Sequence, residues 1–489
     1  GGDVDLRGRL PAGSNSVVIG SSAYKQGTAG DRVVVIGENA AGGASMNGDV
    51  DDSVFVGYRA AHLATSNFYN VAIGSLALYS NKTGHSNIAI GYRALYTEGS
   101  RGSNVAIGHQ ALHLQSGSSG IASDNVAIGY AAAEDATTAT RMVIIGTNAG
   151  RDITTGGSHT MVGWRAGFTN TTGASNTFIG NYSGYTNLTG YSNTAVGGSS
   201  LYYNSTGYES VAVGLSAGYS FGRGSHTPKH SVFVGNAAGY YATGSYNTLI
   251  GHEAGKGGTS SAPYTSGENN VAIGYEALKN FTTADKCVAI GSGAGKAHQT
   301  SAWAVYIGYE AGNDVTTGAQ NVLIGGDAGA KLTTADRNIA IGGAALQTAT
   351  TGGSNTVVGD NAGWSATTAS GSVLIGRLAG GNIDSSNANV AIGQQALENV
   401  NAGSDGNVAV GYKAGNAQTN AGNQGSVYIG YEAGQGIVNS SVVMIGWKAG
   451  SGYSGIGKGE GVTLIGHMAG YQSNDDAINN TAVGYATLY

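Results

Sequence analysis

The segment Gly452–Gly459, GYSGIGKG, has the glycines and the lysine of a phosphate-binding loop. That loop needs Ser or Thr after the lysine to reach the metal ion, and Gly459 stands there instead. Gly291-Ser292-Gly293-Ala294-Gly295 is glycine-rich for a different reason, described below. The ten histidines do not fall at metal-ligand spacing. His226 and His230 share a long connection and read as a solvated loop. Cys287 is the only cysteine, which excludes an internal disulfide framework and a cysteine-rich zinc site. Asp475-Asp476 lies in a turn, and a glycosidase pair needs carboxylates that face each other across a bond. The glycine-aspartate nonapeptide of calcium-binding β-rolls is absent. These signals imply no catalytic residues, no cofactor and no metal, hence a protein that is not an enzyme.

What positions these residues is a repeat. Twenty-seven glycines, from Gly20 through Gly74, Gly274 and Gly376 to Gly484, anchor the same phrase, and 16 of the 26 intervals are 17 residues. All intervals lie between 16 and 23. The residue before the anchor is Ile or Val in all 27 units, and three before it stands Val, Ile or Thr. Four before it is Asn in 14 units and Ser in 6; Cys287 occupies this column as a tolerated small residue. Three after it is Ala in 24 units, the exceptions being Ser183, Ser200 and Thr487, and the next position is usually Gly or Leu.

Each phrase predicts a short strand, a glycine bend and a polar turn. β-Branched residues suit a pleated surface, glycine permits a tight bend or close backbone approach, and Thr-Thr-Gly, as at Thr171–Gly173, reads as a turn. A lone 17-residue unit cannot bury its apolar side, but stacked units can. The fold expected is all-β: a parallel β-solenoid, or β-roll, of about 27 coils with a 17-residue period. Residues 1–15 form a lead-in segment and 16–489 a continuous repeat domain. Val and Ile, two apart, share one face and are expected to build the core. The residue between them points the other way yet is apolar in every unit, as in Ala72, Phe178, Tyr306, Leu374 and Met444. A second covered face is therefore expected, covered by another chain or by a second layer of this one. Asn at the strand entry predicts an asparagine ladder.

Composition fits that reading. Glycine contributes 86 of 489 residues and proline 3, charged residues are 11%, and hydrophobic residues still make up 41%. A net charge of −6 predicts no attraction to nucleic acid. No apolar run reaches transmembrane length, so no membrane insertion is expected.

Asn270-Val271-Ala272-Ile273-Gly274 with Ala277 resembles the head repeats of trimeric autotransporter adhesins. Asn193-Thr194-Ala195-Val196-Gly197 and Asn480–Leu488, NTAVGYATL, are similar to the repeats of phage tail-fibre and related surface proteins, and this match is the closer one. The resemblance runs from Ser16 onward. It implies a left-handed β-roll that forms a homotrimer, extracellular, with a structural or adhesive role. The expected function is that of an extracellular structural fibre, adhesive through its corner loops. The alternative is a phage tail-fibre shaft that helps bind a host receptor.

Binding residues are expected in the long connections, because solenoids tolerate insertions at corners. These are the segment between Gly251 and Gly274, with Lys256 and Tyr264, and that between Gly214 and Gly235, with Arg223, His226, Lys229 and His230. The connection from Gly108 to Gly129 is the third. Cell-surface glycans are the partner considered. The position after the anchor carries His109, His252 and His467 beside Tyr58, Trp164, Tyr275 and Trp447. That column is either an aromatic stripe for sugar rings or a shield over strand ends. Acceptor sequons at Asn81, Asn170, Asn181, Asn187, Asn204, Asn280, Asn439 and Asn479 are glycosylation candidates if a glycosylating cell secretes the chain. Joining Tyr489 to a second copy's Gly1 would space two anchors 25 residues apart, near the internal maximum of 23. End-to-end stacking of copies is therefore an expectation.

Overall fold

The computed structural model describes residues 15–24, 32–43, 50–65, 68–97, 99–116, 123–224, 226–258, 265–400, 402–417, 424–437, 441–452, 461–472 and 479–488. The chain divides into two compact units, residues 1–246 and 247–489. Both are parallel β-solenoids, and the described residues contain no helix. The first unit holds thirteen strands, Val17–Ile19 to Val232–Val234; the second holds fourteen, Thr248–Ile250 to Thr481–Val483. Every strand has three residues and ends on the residue before an anchor glycine.

Within each unit, strands of successive coils pair in parallel and in register. Val71, Ala72 and Ile73 lie against Ile88, Ala89 and Ile90; in the second unit Val271, Ala272 and Ile273 lie against Val288, Ala289 and Ile290. The anchor carries the backbone ladder onward, as where Gly91 N–H donates to Ile73 C=O at 2.8 Å. Only glycine fits the anchor. Gly74 has φ +135°, and a Cβ there would lie 2.6 Å from the carbonyl oxygen of Gly91 in the next coil. The bend continues through left-handed residues two and four after the anchor, such as Arg93 (φ 54°) and Leu95 (φ 49°). Such residues cost roughly 1 kcal/mol each, which the ladder of buried hydrogen bonds around them offsets.

The strand faces are the reverse of the expectation. The middle residue is the interior one: Ala72, Phe178, Tyr306 and Leu374 are wholly buried. The flanking Val and Ile point out of the coil, and Ile73, Ile339 and Ile341 are 38–39% exposed. The reason is space. A three-residue strand can turn one or two side chains inward, and here one goes in, because the bend Ala, the ladder Asn and the Leu of the turn already occupy the interior. The β-branched pair suits the outer surface of the pleat, so strand propensity, not burial within the coil, sets those two columns.

The middle residue of the strand and the fourth residue past the anchor share the interior volume, within a coil and between neighbouring coils. In coils such as those of Ala72 and Ala272 the middle residue is Ala and the fourth residue past the anchor is Leu78 or Leu278, both leucines being buried. In most coils whose middle residue is large that position is glycine, with Ala61 in the coil of Phe55. A Cβ on Gly312 would lie 2.6 Å from the ring of Tyr306, and one on Gly380 2.6 Å from Leu374. A Cβ on Gly295 would meet Tyr306 of the next coil at 2.5 Å and Leu278 of the preceding one at 3.1 Å, so this packing complementarity also extends between neighbouring coils.

The asparagine ladder is present. Asn70 Oδ1 accepts from Asn87 N–H at 2.8 Å, and Asn87 Oδ1 from Asn104 N–H at 3.0 Å. The Asn87 side-chain amide donates to Arg101 C=O at 3.1 Å. A second ladder runs along the Thr turn: the hydroxyls of Thr316, Thr333 and Thr350 donate to the carbonyls of Thr333, Thr350 and Thr367 at 3.1, 3.1 and 3.0 Å. These ladder groups are thereby satisfied by the coil above or below.

Candidate functional site

The connection before Gly235 returns to the coil surface among tyrosines. Lys229 Nζ lies 5.9 Å from the Tyr208 ring centre and 5.7 Å from that of Tyr246. Hydrogen bonds to those two phenols push the lysine pKa up. His230 stacks on Tyr246 at 5.4 Å, meets Tyr208 edge-on at 5.9 Å, and pairs with Glu209 at 3.1 Å. Lys229 and His230 thus form one cluster, built by the register that stacks position 208 against position 229. Arg223 covers the Tyr203 ring at 4.6 Å instead. His226 is exposed, and it is its backbone carbonyl that accepts from Thr206 Oγ1 at 3.1 Å.

In the other connection Lys256 belongs to an ion-pair ladder. Lys256–Glu253 is 2.6 Å, Glu253–Lys279 2.7 Å, Lys279–Glu276 2.6 Å and Glu276–Lys296 2.7 Å. Hydrogen bonds from Lys279 and Lys296 hold the Glu276 carboxyl at about 2. Four ion pairs link three lysines and two glutamates of successive coils, and Lys256 is paired with Glu253 rather than a cation waiting for a ligand. Tyr264 lies outside the described residues.

The sequons divide. Asn81, Asn170, Asn187 and Asn204 are wholly buried; the Asn81 amide donates to Gly84 C=O at 2.9 Å and its oxygen accepts from Gly84 N–H at 2.8 Å. These four are interior turn residues, and the folded coil has no room for a glycan on them. Asn181 and Asn479 are exposed and Asn280 is half-buried. Asn439 lies outside the described residues, as do residues 1–14 and most of the phosphate-loop look-alike.

The aromatic column after the anchor stacks on itself. His252 lies on Tyr275 at 5.4 Å with the rings 10° apart, and Tyr431, Trp447, His467 and Tyr485 continue the pattern at 6.3, 4.5 and 4.9 Å. Within such a ladder the ring faces cover one another. A sugar stacks on a ring face, so the rungs inside these ladders offer it only edges.

Three arrangements escaped the sequence reading. The outward Val and Ile rows are one. The second is a stack of tyrosines from Tyr185 to Tyr240, one per coil. The third lies behind the Asn column of the second unit. Cys287 Sγ is 3.5 Å from His298 Nε2, and Tyr306 Oη is 3.1 Å from His298 Nδ1, all three buried. Burial raises the thiol pKa and lowers that of the imidazole. Both are therefore neutral near pH 7, without the thiolate–imidazolium pair that activates a cysteine. At the surface beside them Trp303, 60% exposed, lines an open groove with Lys286 and Val305. Among the described residues no group of three or more His, Cys, Asp or Glu is placed to hold a metal ion, and no helix is long and apolar enough to cross a membrane. Comparison with family models and with curated proteins finds no match.

Proposed function

We propose that this chain is a structural, non-enzymatic subunit of an extracellular fibre, in which copies pack side by side through their outward Val and Ile rows. The observation that carries the reading is that surface. Within each unit the strands send two β-branched side chains outward in register, and exposed apolar surface of this kind marks an interaction site. Such rows favour a long, flat, self-complementary contact. The resemblance to trimeric adhesin heads supports three copies. The cluster of Lys229, His230, Tyr208 and Tyr246 lies in a corner connection and is where adhesion to an acidic glycan would act. The NTAVGYATL form supports a second reading, a phage tail-fibre shaft that contributes to receptor binding.

Electron cryo-microscopy of purified particles tests the proposal. Cross-sections holding several copies with the Val and Ile rows turned toward one another are expected. Single-copy particles with those rows in solvent would overturn it. Binding of the particles to bacterial cells would favour the tail-fibre reading.

A further inference from the structure

The densest side-chain cluster in the first unit is a phenol stack. Phe168, Tyr185, Tyr202, Tyr219 and Tyr240 occupy one column of five successive coils, with ring centres 5.2, 4.9, 5.1 and 4.6 Å apart. The rings lie within 8–22° of parallel. Tyr203 and Tyr241 add edge-on rings to Tyr202 and Tyr240 at 4.7 and 4.6 Å. The backbone ladder fixes this spacing: Thr186, Tyr203 and Ser220 N–H donate to the carbonyls of Tyr202, Tyr219 and Tyr240 at 2.9 Å each. The stack is half-buried along its length.

Several uses of such a column can be weighed against its geometry. Sugar stacking needs free ring faces, and these faces are taken. Anion binding needs cations turned to solvent, and Arg223 is laid over Tyr203 at 4.6 Å. Acid–base chemistry near neutrality needs phenols that ionise there, but burial pushes Tyr202 and Tyr240 up, and Tyr219 to about 12. What remains is the chemistry of adjacent, protonated phenols held in contact, which is one-electron oxidation followed by coupling.

We propose that the Tyr185–Tyr240 column is a site of dityrosine formation between successive coils. The oxidant is a haem peroxidase supplied with hydrogen peroxide. Each of two stacked phenols gives up one electron and its hydroxyl proton, and the two phenoxyl radicals join through a carbon–carbon bond between ring positions ortho to oxygen. The hydrogens on those carbons move to the oxygens, which restores both phenols. Two tyrosines and one peroxide give one dityrosine and two waters. Fixed contact replaces a bimolecular encounter, which raises the effective concentration of the partner by orders of magnitude. In a solenoid each coil touches only its neighbours, so a bond between coils staples the structure at its weakest joint.

The test uses the full chain, a peroxidase and limiting peroxide, read by dityrosine fluorescence and by mass spectrometry of cross-linked peptides. The expected first products join Tyr202 to Tyr219 or Tyr219 to Tyr240 within one chain. They should exceed links through the exposed Tyr69, Tyr309 and Tyr485 by about fivefold or more, the advantage of held contact over encounter. Tyr219→Phe keeps the stack and the fold, which an unchanged melting temperature verifies, and should abolish both links. First products that join chains through Tyr69, Tyr309 or Tyr485, or peroxide consumption without any carbon–carbon link in the column, would overturn the proposal.

Discussion

Ala272 and Ile273 are chain neighbours that face opposite worlds: Ala272 is wholly buried inside its coil and Ile273 is half-exposed on the outside. The same division holds along both units. It turns the middle residue of each strand into the coil, among the buried Asn, Ala and Leu or Gly of the repeat, and places the β-branched rows where another surface can meet them.

Leu374 and Gly380 fill one stretch of the interior, where a Cβ on Gly380 would lie 2.6 Å from Leu374, so the two should exchange together. Leu374→Ala should cost about 2–5 kcal/mol by leaving a cavity. Gly380→Leu alone should also destabilise, because its Cβ would meet the Leu374 side chain. The double variant rebuilds the Ala-plus-Leu pairing seen at Ala272 and Leu278, where Leu278 already has φ 47°. Its stability in urea should return to within about 1 kcal/mol of the parent, a positive coupling of the kind measured by double-mutant cycles.

The asparagine ladder should be costly to interrupt. Asn338 Oδ1 accepts from Asn355 N–H at 3.1 Å, and its amide donates to Gly352 C=O at 3.0 Å. Asn338→Ala leaves both buried groups without partners. A loss of about 2–4 kcal/mol is expected, the sum of two unsatisfied groups at the lower end of their range. Hydrogen exchange at the Asn355 amide should accelerate with it.

His159 makes the first unit acid-sensitive. It replaces Asn in the ladder and accepts from Asn176 N–H at Nδ1, 3.3 Å away. Burial lowers its pKa from 6.5 to about 4. The unfolded chain therefore binds a proton before the folded one does. Stability should be unaffected above pH 6.5 and should fall as pH drops from 6.5 toward 4, by up to ~1.4 kcal/mol per pH unit. His159→Asn restores the commoner ladder residue and should flatten that slope in pH-dependent urea titrations. An unchanged slope would show that other groups govern acid unfolding.

Glu276 gives the second unit a slope in a lower window. Its carboxyl is held at about 2 against an ordinary 4.5 by hydrogen bonds from Lys279 and then Lys296. That contribution is complete above about pH 4.5 and is lost as pH falls toward 2. Glu276→Gln should lower stability near neutrality by ~1–2 kcal/mol, discounted because the lysines reach solvent. The variant should lose less than the parent on acidification through that window.

The period, the strands, the anchor glycine and the asparagine ladder were all legible in the sequence, because each is dictated by a column that admits few residue types. The faces were not. Val271 and Ile273 flank Ala272, and counting apolar side chains puts the larger pair inside. The deciding signal was the column four past the anchor, where Gly312 accompanies Tyr306 and Leu278 accompanies Ala272. Covariation of size between those two columns means they share one interior. Site residues were harder still. Lys256 has its partner Glu253 three residues before it, but the sharing of Glu253 with the next coil's Lys279 shows only once the 23-residue interval across the Gly251–Gly274 connection is placed in register. The tyrosine stack needs the coil register before Tyr202 and Tyr219 can be seen as neighbours.

The central claim, that the outward Val and Ile rows are covered by further copies of this chain, is tested most directly by native mass spectrometry. The parent should be compared with a variant in which Ile339, Ile341, Ile375 and Ile392 are each replaced by Lys. The account predicts a multiple-copy mass for the parent, three copies on the proposed assembly. It predicts a single-copy mass for the variant, with the parent's β-sheet circular dichroism retained. A single-copy mass for the parent, or an unchanged multiple-copy mass for the variant, would contradict it.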